Sequence, residues 1–466
     1  MKLGQKSFIH FVSKIAATAA GFFATIYFAR FLGADILGTY FLVIAVFTWL
    51  KMFSTMGISS AVNKRISGTD EADEFFTSGL ILQVIAVLFV AGLIYAFQNQ
   101  FASYTGFENI EFLILLLGAG SLFTFVTSVL VGERLAHISG ALDPVDRIAR
   151  TIAQITFVIL GFEVVGMVVG YVIASLLSVC IGGYYISTRF AIPERRHFYS
   201  LWSYAKFSWL GSVSNRTLSS MDTIVLGFFV SSSLIGVYEI AWNLASILAV
   251  FGASLNQTIF PEISRMNSNN TEEVADLAET GVAYAGLFLI PGIVGSIVLG
   301  EIILSVYSQE FVQGYTVLII LIVARLISTY KNQFLNVIDA LNKPRVTFKI
   351  NAVFIITNIS LNIGLVYLYG WIGAAVATAT SALVSFVLAY RALTTLTRFR
   401  FPVREISKQF IAAGVMGIVI YLSAESLAYE FRPTLLLIPL GAGIYFGVMI
   451  GISQRLRSTV ISNIPV

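Results

Sequence analysis

The stretch Ser78–Phe97 reads SGLILQVIAVLFVAGLIYAF, twenty residues without a single charge. About 20 apolar residues let an α-helix cross the hydrocarbon core of a bilayer. A helix also satisfies every backbone N–H and C=O within its own segment, which hydrocarbon cannot do for it. Runs of the same kind lie on both sides: Phe8–Phe31, Ile36–Met56, Ile110–Val131, Val145–Leu160, Val164–Ile186, Tyr204–Val230 and Leu234–Ile259. They continue at Gly281–Leu299, Gly314–Ala340, Arg345–Tyr369, Trp371–Ala392, Glu405–Ala428 and Thr434–Ser453. The pattern predicts an all-α polytopic membrane protein with fourteen transmembrane helices. The fifth run is the weakest, being short and opening with Arg147 and Arg150.

Composition agrees. Of the 466 residues, 57% are hydrophobic and 12% charged, where soluble domains carry about 25% charge. That arithmetic excludes a disordered chain, a secreted disulfide scaffold and a basic nucleic-acid binder. The one cysteine, Cys180, cannot form an internal bridge, and three histidines make no histidine-rich metal centre. No Walker-type phosphate loop and no paired Cys/His spacing is present, so neither cofactor nor metal is expected. Lys2 and Lys6 precede the first apolar run in the manner of a signal peptide, but Lys14 interrupts it and the run continues past the small residues. A retained first span is expected.

Basic residues between the spans set the topology. Nineteen, among them Lys64, Arg65, Arg134, Arg189, Arg195, Arg398 and Arg455, fall on one side and only Arg432 on the other. By the positive-inside rule both termini face the cytoplasm of a multi-pass plasma-membrane protein. Outer loops are short. Among the longer inner segments, Glu262–Thr280 carries Val274, Leu277 and Ala278 at helical spacing, which suggests an amphipathic helix along the inner surface.

The chain also repeats itself. Ile36-Leu37-Gly38-Thr39-Tyr40 returns as Leu234-Ile235-Gly236-Val237-Tyr238, an offset of 198 residues, and Pro144 is matched by Pro344. Six spans separate the copies, an even number, so the halves share one orientation and are related by an axis along the membrane normal, with a substrate site between them. The expected division is a six-helix lobe over 1–190, a second over 191–400, and two further helices over 401–466.

Ala29-Arg30-Phe31-Leu32-Gly33 followed by Gly38-Thr39-Tyr40 resembles the first-span signature of the polysaccharide transporter family, within the multidrug/oligosaccharidyl-lipid/polysaccharide exporter superfamily. Asp222-Thr-Ile-Val-Leu-Gly227, Gly236-Val-Tyr238, Pro261-Glu-Ile-Ser264, Lys343-Pro344, Asn351, Asn358, Asn362 and Gly373-Ala-Ala375 are similar to later parts of its pattern. The resemblance implies a flippase that moves a polyisoprenyl-linked saccharide by alternating access between two six-helix lobes. It also implies that the polyprenyl tail stays in lipid, and that Arg30 occupies the family's signature arginine position.

Ionisable groups inside spans are costly and usually face a cavity or protein interior. Arg150, Lys206 and Lys349 lie near inner ends and can snorkel. Lys14 and Lys51 lie about two turns in, while Arg216 and Arg325 fall close to mid-span. Ser208, Ser212, Asn215, Arg216, Ser219, Asp222 and Thr223 share a face of the seventh span. Arg325, Ser328, Thr329, Asn332, Asn336 and Asp339 form a stripe on the tenth; Glu239, Asn243 and Ser246 do so on the eighth, and Asn351, Asn358 and Asn362 on the eleventh. Such stripes either hydrogen-bond helices together or line a water-filled cavity, and two mid-membrane arginines favour the cavity.

Six deep or semi-deep cations, Lys14, Arg30, Lys51, Arg216, Arg325 and Lys331, stand against the acids Asp222, Glu239 and Asp339. That excess suits a phosphate or pyrophosphate headgroup, and asparagines such as Asn332, Asn336 and Asn358 suit sugar hydroxyls. Arg30 has two readings, headgroup capture at an outer gate or anchoring at the interface. The acids too have two: structural pairing with arginines, or carriage of a coupling proton or sodium ion. Expected partners are the lipid-linked saccharide, membrane lipids, and glycosyltransferases or polymerases of the same pathway; no nucleic acid is expected. Three alternatives stay open at this level: a cation-coupled multidrug exporter of the same superfamily, a membrane scaffold of a glycan-assembly complex, and a membrane-embedded glycosyltransferase.

Overall fold

The apolar runs fold as helices. The computed structural model describes residues 3–265, 271–426 and 436–457; within its helices the side chains at 3–19, 207–219, 251, 253–262, 265, 271 and 426 lie outside the description. The described residues contain no β-strand. In chain order the helices are α1 (Leu3–Thr55), α2 (Ile58–Ile66), α3 (Ala72–Ala96), α4 (Gln98–Thr105), α5 (Ile110–Gly132), α6 (Ala136–Ile159), α7 (Glu163–Tyr184) and α8 (Arg195–Phe229). Then come α9 (Ser232–Arg265), α10 (Thr271–Ala285), α11 (Leu289–Ser305), α12 (Tyr315–Ala340), α13 (Pro344–Leu396), α14 (Val403–Ser426) and α15 (Leu437–Ile452). Nine stretches of the described residues are long and apolar enough to cross a membrane, and some hold two of the expected spans.

The connections are tighter than the apolar pattern predicts. α1 and α13 each run for 53 residues, about 80 Å if straight, far more than a bilayer's ~30 Å core. Each is broken at one glycine, Gly33 (φ 80°) or Gly370 (φ 59°), in backbone territory that a Cβ makes costly. Across Gly370 the chain doubles back: Asn358 Nδ2 donates to Thr378 Oγ1 at 3.2 Å, although twenty residues of straight helix span about 30 Å. The fifth span also begins earlier than expected. α6 starts at Ala136 and carries Pro144 inside it. At the equivalent repeat position Pro344 opens α13, where its missing N–H costs nothing.

The chain forms two compact units, Met1–Gly236 and Val237–Val466. α8 and the start of α9 therefore pack with the first unit, whereas the sequence repeat divides the chain at 190/191. The first unit is apolar on its outside. On α3, Ile85, Leu88 and Phe89 are exposed while Gln83 is buried, its Nε2 donating to the Ser54 carbonyl at 3.1 Å. That inversion suits a lipid solvent, in which polar groups find partners only within the protein. The interior is filled by Ile58, Val62, Phe75, Phe125, Val129 and Leu201 from α2, α3, α5 and α8.

The repeat has a physical counterpart. A Cβ added to Gly38 would stand 2.5 Å from the Ser232 carbonyl carbon and 2.9 Å from Gly236 N; one added to Gly236 would stand 3.1 Å from both the Ala34 carbonyl carbon and Gly38 N. Ala34 and Ser232, like Gly38 and Gly236, are 198 positions apart. Each repeat-equivalent residue thus touches the partner of the other, the reciprocity of a two-fold contact. Glycine is required because the two backbones cross without room for a Cβ.

A strap over residues 185–194 joins α7 to α8 and is tied to the first unit by its backbone. Ser187 and Thr188 N–H donate to the Glu133 carboxylate, at 3.0 and 2.8 Å, Arg189 N–H to Asp73 at 2.8 Å, and Ala191 N–H to Thr77 Oγ1 at 3.1 Å. Beside it the buried His197 accepts the Glu194 N–H at Nδ1 (2.9 Å), which leaves Nε2–H to donate to Glu71 at 3.2 Å. His197 and Arg196 together hold the Glu71 carboxyl below its ordinary range. Burial pushes Glu133 up, but the strap's N–H and hydroxyl donors outweigh it and hold that carboxyl low as well.

In the second unit α12 packs on both limbs of α13, with Phe334 of α12 in contact with Phe386, Tyr390, Phe399 and Phe401. α10 has the amphipathic pattern expected within Glu262–Thr280: Val274 and Ala278 are buried, Glu272 and Glu273 exposed.

Candidate functional site: cations held on aromatic faces

Trp242 and Ser246 lie one turn apart on α9 and so share a face. Arg325 of α12 meets both. Its guanidinium carbon sits 3.9 Å from the centre of the Trp242 ring, and Nη2 donates to Ser246 Oγ. Ser246 in turn donates to the Trp242 carbonyl at 2.6 Å, so the hydroxyl is oriented before it receives the arginine. The stripes expected on the eighth and tenth spans therefore do face each other within the second unit. Trp242 was not legible as a site residue, though its i, i+4 spacing to Ser246 was the available signal.

The rest of the tenth-span stripe divides. Asn332 is exposed, Asn336 and Asp339 are half-buried, and Thr329 is buried. Lys331 is buried, and its Nζ lies 4.6 Å from the Phe354 ring centre on α13. One turn on, Asn358 is buried in the α13 hairpin with its amide bonded to Thr378. Its described contact is thus between the limbs of one helical hairpin. Asp222 and Glu239 are half-buried and Arg30 is exposed. The side chains of Lys14 and Arg216 lie outside the described residues, as do those of Ser208, Ser212, Asn215 and Ser219.

The first unit holds a second constellation. Lys51 Nζ sits 5.7 Å from the Phe47 ring centre, Phe47 stands edge-on to Tyr171 at 5.6 Å, and the Arg150 guanidinium stacks 3.3 Å from the Tyr171 centre. Arg150 has a partner that its place in the span does not announce. It is paired with Asp146 one turn back, a buried carboxylate that also accepts Ser175 Oγ at 3.2 Å. The i, i+4 spacing of Asp146 and Arg150 was the missed signal. Gln154 on the same helix donates to Tyr40 Oη and to the Met167 carbonyl, both at 2.8 Å, fastening α6 to α1 and α7.

One rule covers these positions. Lys51, Arg150, Arg325 and Lys331 each lie over an aromatic ring. A ring face offers a cation about 0.5–2 kcal/mol without cancelling its charge as a carboxylate would. Arg150 in addition forms an ion pair, with Asp146. The arrangement fixes planar guanidinium groups inside helices of a membrane protein, and their forks match phosphate oxygens.

The polysaccharide biosynthesis protein family model matches residues 3–267. The Probable flippase AglR of Haloferax volcanii is 31% identical, the match covering 98% of this chain and 98% of that protein. The Probable low-salt glycan biosynthesis flippase Agl15 of the same organism is 27% identical over 100% of this chain and 99% of its own length. Among solved structures, the lipid II flippase MurJ in an inward closed conformation aligns with a TM-score of 0.83 at 18% identity, covering 96% of this chain and 99% of that one.

Proposed function

Because the chain belongs to the polysaccharide biosynthesis protein family, we propose that it is a flippase for a polyprenyl- or dolichyl-(pyro)phosphate-linked saccharide. It carries its cargo from the cytoplasmic to the outer leaflet of the plasma membrane, for assembly of a cell-surface polysaccharide or glycan. The observation that carries this reading is Arg325, stacked on Trp242 and tethered to Ser246. A guanidinium so oriented is ready to take an anionic headgroup, and little of its conformational freedom is left to lose on binding.

Lys331, Lys51, Lys14, Arg216 and Arg30 supply further positive charge along the route, and Asn332 and Asn336 hydrogen-bond sugar hydroxyls. Asn358 braces the helix behind Lys331. Asp222, Glu239 and Asp339 are the acids available to a coupling proton or sodium ion. The six-helix lobes 1–190 and 191–400 rock to alternate access, helices 13 and 14 over 401–466 stay peripheral, and both termini are cytoplasmic. Glycosyltransferases and polymerases of the pathway act before and after it. The protein is a carrier and catalyses no bond change.

The test is translocation of a fluorescent polyprenyl-pyrophosphate saccharide in proteoliposomes, followed by the loss of signal to a membrane-impermeant quencher. Arg325→Gln is expected to lower the rate at least tenfold while the protein still folds. A rate equal to the parent's would refute the headgroup role.

A further inference from the structure

Lys331 sits in surroundings that an ammonium ion does not ordinarily accept. It lies nine residues before the end of α12, about 14 Å along the helix axis, and is 3% exposed. Its charged end faces the Phe354 ring, on the buried α13 face that also carries Ile350 and Asn358. Among the described side chains, the elements packed against α12 carry the acids Glu239, Glu272, Glu273, Asp276, Glu279, Glu301 and Glu310 and the bases Arg345, Lys349 and Arg391, with Arg398 and Arg400 on the segment after α13; α12 itself adds Arg325 and Asp339. None of these acids forms an ion pair with Lys331, and no described side chain accepts a hydrogen bond from it. A ring face returns about 2 kcal/mol at most sites, against several kcal/mol for burying an ion. Such a lysine is relieved either by losing its proton or by meeting an anion. Arg325, on the same helix, has no first option, because guanidinium stays protonated.

We propose that Lys331 is a proton-uptake site linked to headgroup binding, an inference that rests on the anionic-cargo reading above. At alkaline pH, Nζ in the empty protein is a neutral amine whose lone pair is free. When a (pyro)phosphate headgroup arrives, the amine takes a proton from water and becomes the ammonium that binds it. When the headgroup leaves, that proton returns to water. In that pH range one proton accompanies each headgroup, and the loaded site carries one negative charge fewer than the headgroup alone. The sequence offers carboxylates as one place for a coupling ion; a buried amine with no partner among the described side chains offers a base instead.

The experiment is calorimetry on the purified full chain in detergent, titrated with farnesyl pyrophosphate at pH 9, where the phosphates (last pKa near 6 to 7) are fully ionised. Running it in two buffers of different ionisation enthalpy counts protons. The parent protein is expected to take up about one proton per ligand, with affinity falling about tenfold per pH unit on the alkaline side. Lys331→Arg should bind with no proton taken up and with affinity flat over the same pH range. Should the larger guanidinium prevent folding, Lys331→Met should bind more weakly, again without uptake. Binding by the parent without proton uptake, or uptake that persists in either variant, overturns the proposal and leaves the flippase reading standing. Absence of binding by the parent overturns the anionic-headgroup reading, and this inference with it.

Discussion

The Gly38–Gly236 crossing gives the sharpest prediction about folding. In Gly38→Ala the new methyl meets the Ser232 carbonyl carbon at 2.5 Å and Gly236 N at 2.9 Å, where carbon contacts normally sit near 3.5–4.0 Å. Both neighbours are backbone, so no side chain can rotate away and the helices must part by about 1 Å. Overpacking of this kind costs about 1–3 kcal/mol. A crossing closed by backbone on both sides belongs at the upper end, while alanine's better helix propensity returns up to ~1 kcal/mol. The net is about 2 kcal/mol, or roughly 4–8 °C in Tm at ~2–4 °C per kcal/mol for a unit of this size. Gly236→Ala strains the same crossing, and the double variant should lose less than the sum, with a coupling above ~0.5 kcal/mol. Gly92→Ala is the control: nothing lies within 4 Å of its added Cβ, so it should hold or raise Tm. The assay is thermal unfolding of the detergent-purified protein, followed by fluorescence. A Gly38→Ala protein as stable as Gly92→Ala, or strict additivity with Gly236→Ala, would refute a backbone crossing.

Trp242→Leu removes the ring under Arg325 and should weaken pyrophosphate binding about tenfold, the equivalent of ~1.4 kcal/mol. Trp242→Phe should recover part of it, and calorimetry with farnesyl pyrophosphate reads both. Asp146→Asn leaves Arg150 buried without its counter-charge. The cost for a buried pair is about 3–5 kcal/mol, less here because Arg150 is a quarter exposed. Tm should fall clearly and be regained in the Asp146→Asn/Arg150→Met double variant. The strap should respond to acid. Glu71 and Glu133 have lowered folded-state pKa values, so their contribution is complete above the unfolded carboxylate value of about 4.3 and is lost as pH falls through the folded values. Amide exchange at Ser187–Ala191, corrected for intrinsic rate, should be unchanged from pH 7 to 5 and rise only below about pH 4; a rise near pH 6 would contradict the assignment.

Much of the fold was legible because a bilayer screens residues one span at a time. Ser78–Phe97 announces its helix without reference to any other part of the chain. The boundaries were less legible: an apolar average does not reveal that Gly33 and Gly370 turn the chain in a single residue, nor that α6 extends back through Pro144. At the candidate site, Arg325 and Ser246 were visible as polar interruptions in apolar runs. Trp242, Tyr171 and Phe354 were not, because an aromatic residue in a transmembrane helix looks the same whether it faces lipid or a cation. The Asp146 partner of Arg150 was not legible for a related reason, since distance from the membrane edge says nothing of a carboxylate one turn away.

Sequence by itself determined the solvent, the helical class, the internal repeat and the presence of buried cations. Each of these follows from composition and spacing along the chain. Tertiary structure alone decided which ring backs which cation, that no described acid pairs with Lys331, and that the repeated glycines touch one another. Those outcomes depend on how each helix is rotated against its neighbours. Rotation is set by packing across residues far apart in sequence, such as Arg325 and Trp242, and no local pattern encodes it.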